Sequence, residues 1–120
     1  MIDALTRSET AAYESTLTIR PDHIFVENRC FSEAGLIETI AQTSAAGVGY
    51  ACARNGKTIP AGFIGAIQKL CVYRLPQVET QLMTRVTVIH VVENASVIRG
   101  EIFDGDQRIA HCEMNIFLQK

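Results

Sequence analysis

From Thr39 to Ala53 the chain carries no charged residue, and the stretch is crowded with small side chains: Ala41, Ser44, Ala45, Ala46, Gly47, Gly49, Ala51 and Ala53. The surrounding pattern makes it a helix from Ser32 to Arg54, about 34 Å long at ~1.5 Å per residue. Leu36, Ile40, Ser44 and Val48 recur at i+4, with Ile37, Ala41 and Ala45 beside them, which is helical periodicity. Ser32 suits the N-cap and Glu33 the first turn, where the helix dipole favours an acid. Asn55-Gly56 supplies the stop. A solvent-facing helix carries more Lys and Glu than this one, so the pattern predicts burial on most sides. Small side chains let such a helix lie close to a sheet.

The rest of the chain supplies that sheet. Residues 9–20 alternate, with Tyr13, Ser15, Leu17 and Ile19 on one parity, and Pro21 ends the run. Met1–Leu5 is a candidate partner strand, joined through Thr6–Glu9. After the helix come four strand-like segments: 62–75, ended by Pro76; 82–92; 96–104; and 107–119. Short turns at Glu93-Asn94-Ala95 and Asp104-Gly105-Asp106 make them antiparallel neighbours. Two strands, one long helix and four strands define an α+β fold, a curved antiparallel sheet wrapped around one central helix at about 32–54. The 120 residues form one domain, 48% of them hydrophobic, enough for one core.

Composition narrows the function classes. Net charge is −2 with Lys and Arg scattered, so nothing draws the chain to nucleic acid or to an anionic membrane. No apolar run reaches the ~18 residues of a membrane span. The first ten residues, with Asp3 and Glu9, do not read as a secretory signal, which predicts a cytoplasmic protein. Cys30, Cys52, Cys71 and Cys112 match no metal-ligand spacing; reduced thiols, and small core residues at 52, 71 and 112, are expected. Neither a metal nor a cofactor is implied.

Glu38 is the leading candidate for chemistry. It sits one turn into the helix, with Gln42 on the same face at i+4. Flanked by Ile37, Ile40 and Ala41, its carboxylate would be partly desolvated and suited to proton transfer. The competing reading is an exposed Glu stabilised by the helix dipole. Gly35 in the first turn costs about 1 kcal/mol against Ala. That residue fits either a ligand approaching the backbone N–H groups or close packing on a neighbour. His23 follows Pro21-Asp22 in a loop, where a histidine is usually a surface residue. Cys30 is a nucleophile only with a base beside it and otherwise a buried thiol.

Residues 33–50, with Leu36-Ile37-Glu38-Thr39-Ile40-Ala41-Gln42 at their centre, resemble the central helix of hotdog-fold 3-hydroxyacyl-[acyl carrier protein] dehydratases, which typically reads G-V-L-I-x-E-A-x-A-Q. Gly65–Lys69 with Tyr73-Arg74-Leu75-Pro76 is similar to that family's G-I-x-x-x-K-F-R-x-P strand, and Gly100–Ala110 to its closing hairpin. Met1–Leu5 resembles the interior of the family's first strand, which implies that the usual N-terminal segment is missing. The resemblance implies dehydration of 3-hydroxyacyl thioesters to enoyl thioesters. Glu38 would be the general acid in a site shared between the subunits of a homodimer, and an acyl carrier protein or acyl-CoA would be the substrate. The family's G-H-F-P-G segment, which carries the basic histidine, is absent. Asn28-Arg29-Cys30-Phe31-Ser32 stands there, one alignment putting Cys30 at the histidine's place, and His23 is the remaining candidate base. Gly35, Gln42 and Cys30 would line the substrate. Arg74 and Lys69 fit contacts to a carrier or a plain solvated edge.

Three functions follow: a dehydratase using Glu38 and His23, an acyl-thioester hydrolase using Glu38 with Gln42, and a non-catalytic acyl-carrier-binding subunit. The missing histidine motif predicts weak or absent dehydration.

Overall fold

The computed structural model describes residues 2–8, 11–57, 61–93 and 95–119. Strand β1 (Ala4–Ser8) pairs antiparallel with β2 (Ala12–Thr18). The strand expected over 9–20 therefore begins at Ala12; Met1, Glu9, Thr10 and the Asn94 of the expected turn lie outside the described residues. Two-residue strands β3 (Val26–Glu27) and β4 (Cys30–Phe31) make a miniature hairpin ahead of helix α1 (Glu33–Arg54). Four long strands follow: β5 (Ala61–Val72), β6 (Gln81–Val92), β7 (Ala95–Asp104) and β8 (Gln107–Gln119). The six long strands form one antiparallel sheet in the order β1-β2-β6-β7-β8-β5.

Alternation decides which face meets the helix. Tyr13, Ser15 and Leu17 of β2 are buried while their neighbours are half-exposed, and Leu82, Thr84 and Val86 repeat this on β6. Tyr13, Leu17, Leu82 and Val86, with Ile98, Ile102, Cys112 and Met114, form a continuous core beneath Leu36 and Ile40 of α1. Ser32 caps α1, its Oγ accepting from the Gly35 N–H at 3.2 Å, and Gly56 just beyond the end takes φ +68°.

Only one face of α1 is covered. Leu36, Ile40, Thr43, Ser44 and Gly47 are buried against the sheet. At ~100° per residue, Glu38, Gln42 and Ala45 fall on the opposite side. Glu38 and Gln42 are half-buried and Ala45 is exposed. Burial on most sides, expected from the missing charges, is thus not achieved within one chain: the sheet covers the face that carries Leu36, Ile40, Thr43, Ser44 and Gly47. The helix also sits off-centre. It packs chiefly on β6, β1 and β2. Ile64 and Ile67 of edge strand β5 pair with the inward-facing Ile116 and Met114, yet they remain 41% and 39% exposed. Cys71 is a correction as well: it pairs with His111 on the outward face and is exposed rather than a core residue. Among the described residues, no helix is long and apolar enough to cross a membrane.

Candidate functional site

The site is organised around the first two turns of α1. Glu38 is held by its own helix: Gln42 Nε2 donates to Glu38 Oε1 at 3.1 Å. This i,i+4 bond fixes the carboxylate on the helix face turned away from the sheet and leaves the second carboxylate oxygen for a ligand. From Glu38 to Arg54 no other charged side chain shares that helix, so the carboxylate is the dominant charge on an otherwise apolar surface.

Gly35 lies three residues before Glu38 and is its neighbour on the helix surface. A Cβ here would stand 2.7 Å from the Phe31 ring and 2.9 Å from Phe25 Cβ, so glycine is required by packing. Its N–H is already taken by the Ser32 cap, and its carbonyl accepts from Thr39 Oγ1 at 2.7 Å. Close packing, one of the two readings of this glycine, is present in the structure.

His23 arrives at the same end of the molecule through those aromatics. Its ring stacks on Phe25 at 5.9 Å between centroids and meets Phe31 edge-on at 5.1 Å. Its Nδ1 accepts from the Phe25 N–H at 3.1 Å, which places the proton of the neutral ring on Nε2. In this arrangement the ring presents a donor outward; taking up a proton would require giving up the Phe25 bond. Glu38, Gln42 and Gly35 thus share the first turns of α1, and His23 reaches the Gly35 end through Phe25 and Phe31.

Cys30 is set apart. Adjacent strand residues point to opposite faces, so Cys30 is turned away from Phe31, and it lines a separate polar pocket of about 320 Å³ with Asn28, Arg29 and Gln77. Arg74 is paired with Asp104 and bonded to Gln107, and Lys69 lies 3.4 Å from Glu113, all on exposed surface. His111 Nε2 is bonded to Tyr73 Oη at 3.0 Å, and His90 is exposed. Among the described residues no cluster of three or more His, Cys, Asp or Glu is placed to hold a metal ion.

Sequence reasoning missed Phe25 and Phe31, which cover the helix start and seat His23. The signal was present in the cost of Gly35, which needed a bulky neighbour to explain it. It also missed an apolar cavity of about 120 Å³ between the second half of α1 and the sheet.

A long helix laid across a six-stranded antiparallel sheet defines a hotdog domain, here with one carboxylate on the uncovered face of the helix. The chain belongs to the ApeP-like family, described as ApeP dehydratase, which it matches over residues 1–120. No curated protein sequence matches it. Among solved structures, the dehydratase heterocomplex ApeI:P from Xenorhabdus doucetiae contains a chain that superposes with a TM-score of 0.91 at 12% identity, covering 99% of this chain and 82% of that one. A hypothetical thioesterase protein with coenzyme A from Streptococcus pneumoniae gives 0.78 at 9% identity, over 97% and 87%. A Streptococcus mutans protein bound to acetyl-CoA gives 0.74 at 10% identity, over 96% and 86%. At these identities the likeness is one of fold.

Proposed function

We propose that this chain binds acyl thioesters at Glu38 as a subunit of the dehydratase type, and that alone it dehydrates 3-hydroxyacyl thioesters weakly or not at all. The observation that carries the reading is the Gln42–Glu38 hydrogen bond of 3.1 Å on the uncovered face of α1. It fixes a half-buried carboxylate at one position on that face. Dehydration needs two positioned groups, one to remove the C2 proton and one to protonate the departing hydroxyl, and losing one costs about a hundred- to ten-thousand-fold. His23 is the proposed second group, but its acceptor nitrogen is engaged by the Phe25 N–H. The same observation favours a second reading, hydrolysis of the thioester by Glu38 alone, with Gln42 orienting it.

The uncovered helix face and the exposed apolar β5 edge support a dimer, proposed as a homodimer, in which the partner closes the site over Glu38. An acyl carrier protein or coenzyme A is the proposed carrier. The test is a panel of 3-hydroxyacyl, enoyl and simple acyl thioesters with wild type and Glu38→Gln. Thioester binding or turnover lost in the variant supports the site. Binding unchanged in Glu38→Gln shows that the carboxylate is structural.

A further inference from the structure

His23 begins a chain of contacts that ends at the first turn of α1. Its Nδ1 accepts the Phe25 N–H at 3.1 Å, a bond from a side chain to the backbone two residues on. The Phe25 carbonyl in turn accepts the Ser32 N–H at 2.8 Å. Ser32 caps the helix: its Oγ takes the Gly35 N–H at 3.2 Å and its carbonyl takes the Leu36 N–H at 3.1 Å. Phe25 and Phe31 also press on Gly35 from the side, at the 2.9 and 2.7 Å that leave no room for a Cβ. Glu38 hangs from the same turn, because its N–H bonds the carbonyl four residues back, at Ala34.

The first link depends on a proton. Imidazole is the side chain that changes charge between pH ~5 and ~8, and once protonated both its nitrogens are donors. The Nδ1–H of the cation then faces the Phe25 N–H, donor against donor, and one of them must move away. The ring is packed by Phe25 and Phe31, which carry no charge. The charged groups of the elements around it are Arg20 and Asp22 in its own loop, Glu27 and Arg29 on the β3–β4 hairpin, Glu33 on the first turn of α1, and Glu79 on the segment bonded to Ile19. All six are exposed, so their fields are screened, and among the described residues none is bonded to His23.

Resting on the acyl-thioester reading of Glu38, we infer that His23 is a proton-operated latch on that site. Neutral, it holds Phe25, the Ser32 cap and the first turn of α1 in place. Protonated, it releases them and weakens thioester binding. In this role His23 positions Glu38 through the cap and need not touch the ligand. Asparagine at 23 makes the same bond without the proton, its Oδ1 reaching the N–H two residues on. Leucine makes none.

The experiment compares wild type, His23→Asn and His23→Leu at pH about 7.5 and about 5.5. It reads amide hydrogen exchange, corrected for intrinsic rates, and affinity for S-butyryl-pantetheine, which has no titrating group in that range. In wild type the Ser32, Gly35 and Leu36 amides should lose about three- to tenfold in protection on acidification. Affinity should fall by a similar factor, which one backbone hydrogen bond of ordinary strength supports. In His23→Asn both quantities, whatever their level, should agree within about twofold at the two pH values; protonation of carboxylates is common to both proteins and cancels in the comparison. His23→Leu should show the acid level of protection throughout; should it fail to fold, wild type and His23→Asn carry the test. Wild-type protection that ignores pH, or that falls equally in His23→Asn, would overturn the latch while leaving thioester binding intact. Protection lost in acid with affinity unchanged would overturn its control of the Glu38 site. Failure of wild type to bind the ligand at either pH would overturn the thioester reading, and control of a thioester site with it.

Discussion

Ser15 Oγ on β2 lies 2.6 Å from Thr43 Oγ1 on α1, and both residues are 0% exposed. Thr43 has one hydroxyl proton and gives it to the Thr39 carbonyl at 2.8 Å, so Ser15 must donate. This bond ties the buried face of the helix to β2, alongside the packing of Ile40 on Gly100 and of Gly47 on Tyr13. Thr43→Val keeps the shape but strands the Ser15 hydroxyl, at a cost of about 1–3 kcal/mol. Chemical denaturation should show that loss, and the double variant with Ser15→Ala should recover a large part of it. Equal stability of Thr43→Val and wild type would show that the bond contributes nothing.

Gly47→Ala should destabilise despite the better helix propensity of alanine. Propensity gains about 1 kcal/mol. The new methyl, however, meets the root of the Tyr13 ring, and overpacking of this kind costs typically ~1–3 kcal/mol. Net of the propensity gain, up to ~2 kcal/mol is lost, a thermal melt lower by as much as roughly 8 °C for a domain of this size. A higher melting temperature would mean that Tyr13 swings away freely.

Stability should fall in alkali. Burial, with Glu113 adding in the same direction, pushes the Cys112 thiol from 9.0 up to about 11. Below pH ~9 the thiol is protonated in both folded and unfolded chains. Between the two values the unfolded chain releases the proton while the folded chain keeps it, so stability declines as pH rises. The decline amounts to about 2–3 kcal/mol by pH ~11. Burial raises the Tyr13 phenol as well, adding to the trend. Denaturation midpoints across that window should show a shallower slope in Cys112→Ala. An unchanged slope would remove the thiol from the account.

His23→Ala should affect any thioester turnover far less than Glu38→Gln does, because the ring's acceptor is spent on the Phe25 N–H. Paired assays of the two variants decide the matter. Loss of dehydration in His23→Ala, with the melt unchanged, would instead make this histidine the base.

Ile67→Lys, on the uncovered side of β5, should shift the protein toward monomer in sedimentation at micromolar concentration. If wild type is already monomeric there, the proposed site shared between subunits fails.

The long elements were legible because each carries a clean period. The small-residue stripe with Ser32 before it and Asn55-Gly56 after it delimits α1 to within a residue, and the Asp104–Asp106 turn places β7 against β8. The miniature hairpin β3–β4 was not. Its turn places Asn28 and Arg29 at φ 51° and 62°. Asparagine followed by glycine would have announced such a turn, and arginine conceals it. The candidate site was legible only along the helix, where Glu38 and Gln42 are tied by spacing. The seating of His23 on Phe25 and Phe31 depends on that concealed hairpin, and the offset of α1 from β5 depends on the sheet as a whole. No local pattern records either.

Edge strand β5 is not a regular ribbon. Its register shifts between Ile64 and Ala66 and again between Gln68 and Cys71, with Lys69 at φ 55°, and the opposite edge, β1, shifts between Leu5 and Arg7. An incoming strand can therefore match β5 over only part of its length, and β1 offers a short, interrupted template. The two edges thus lack the straight, repeating templates on which fibrils elongate. Smoothing the bulge at Lys69 would lengthen the straight template that β5 offers and raise the tendency to aggregate through this edge.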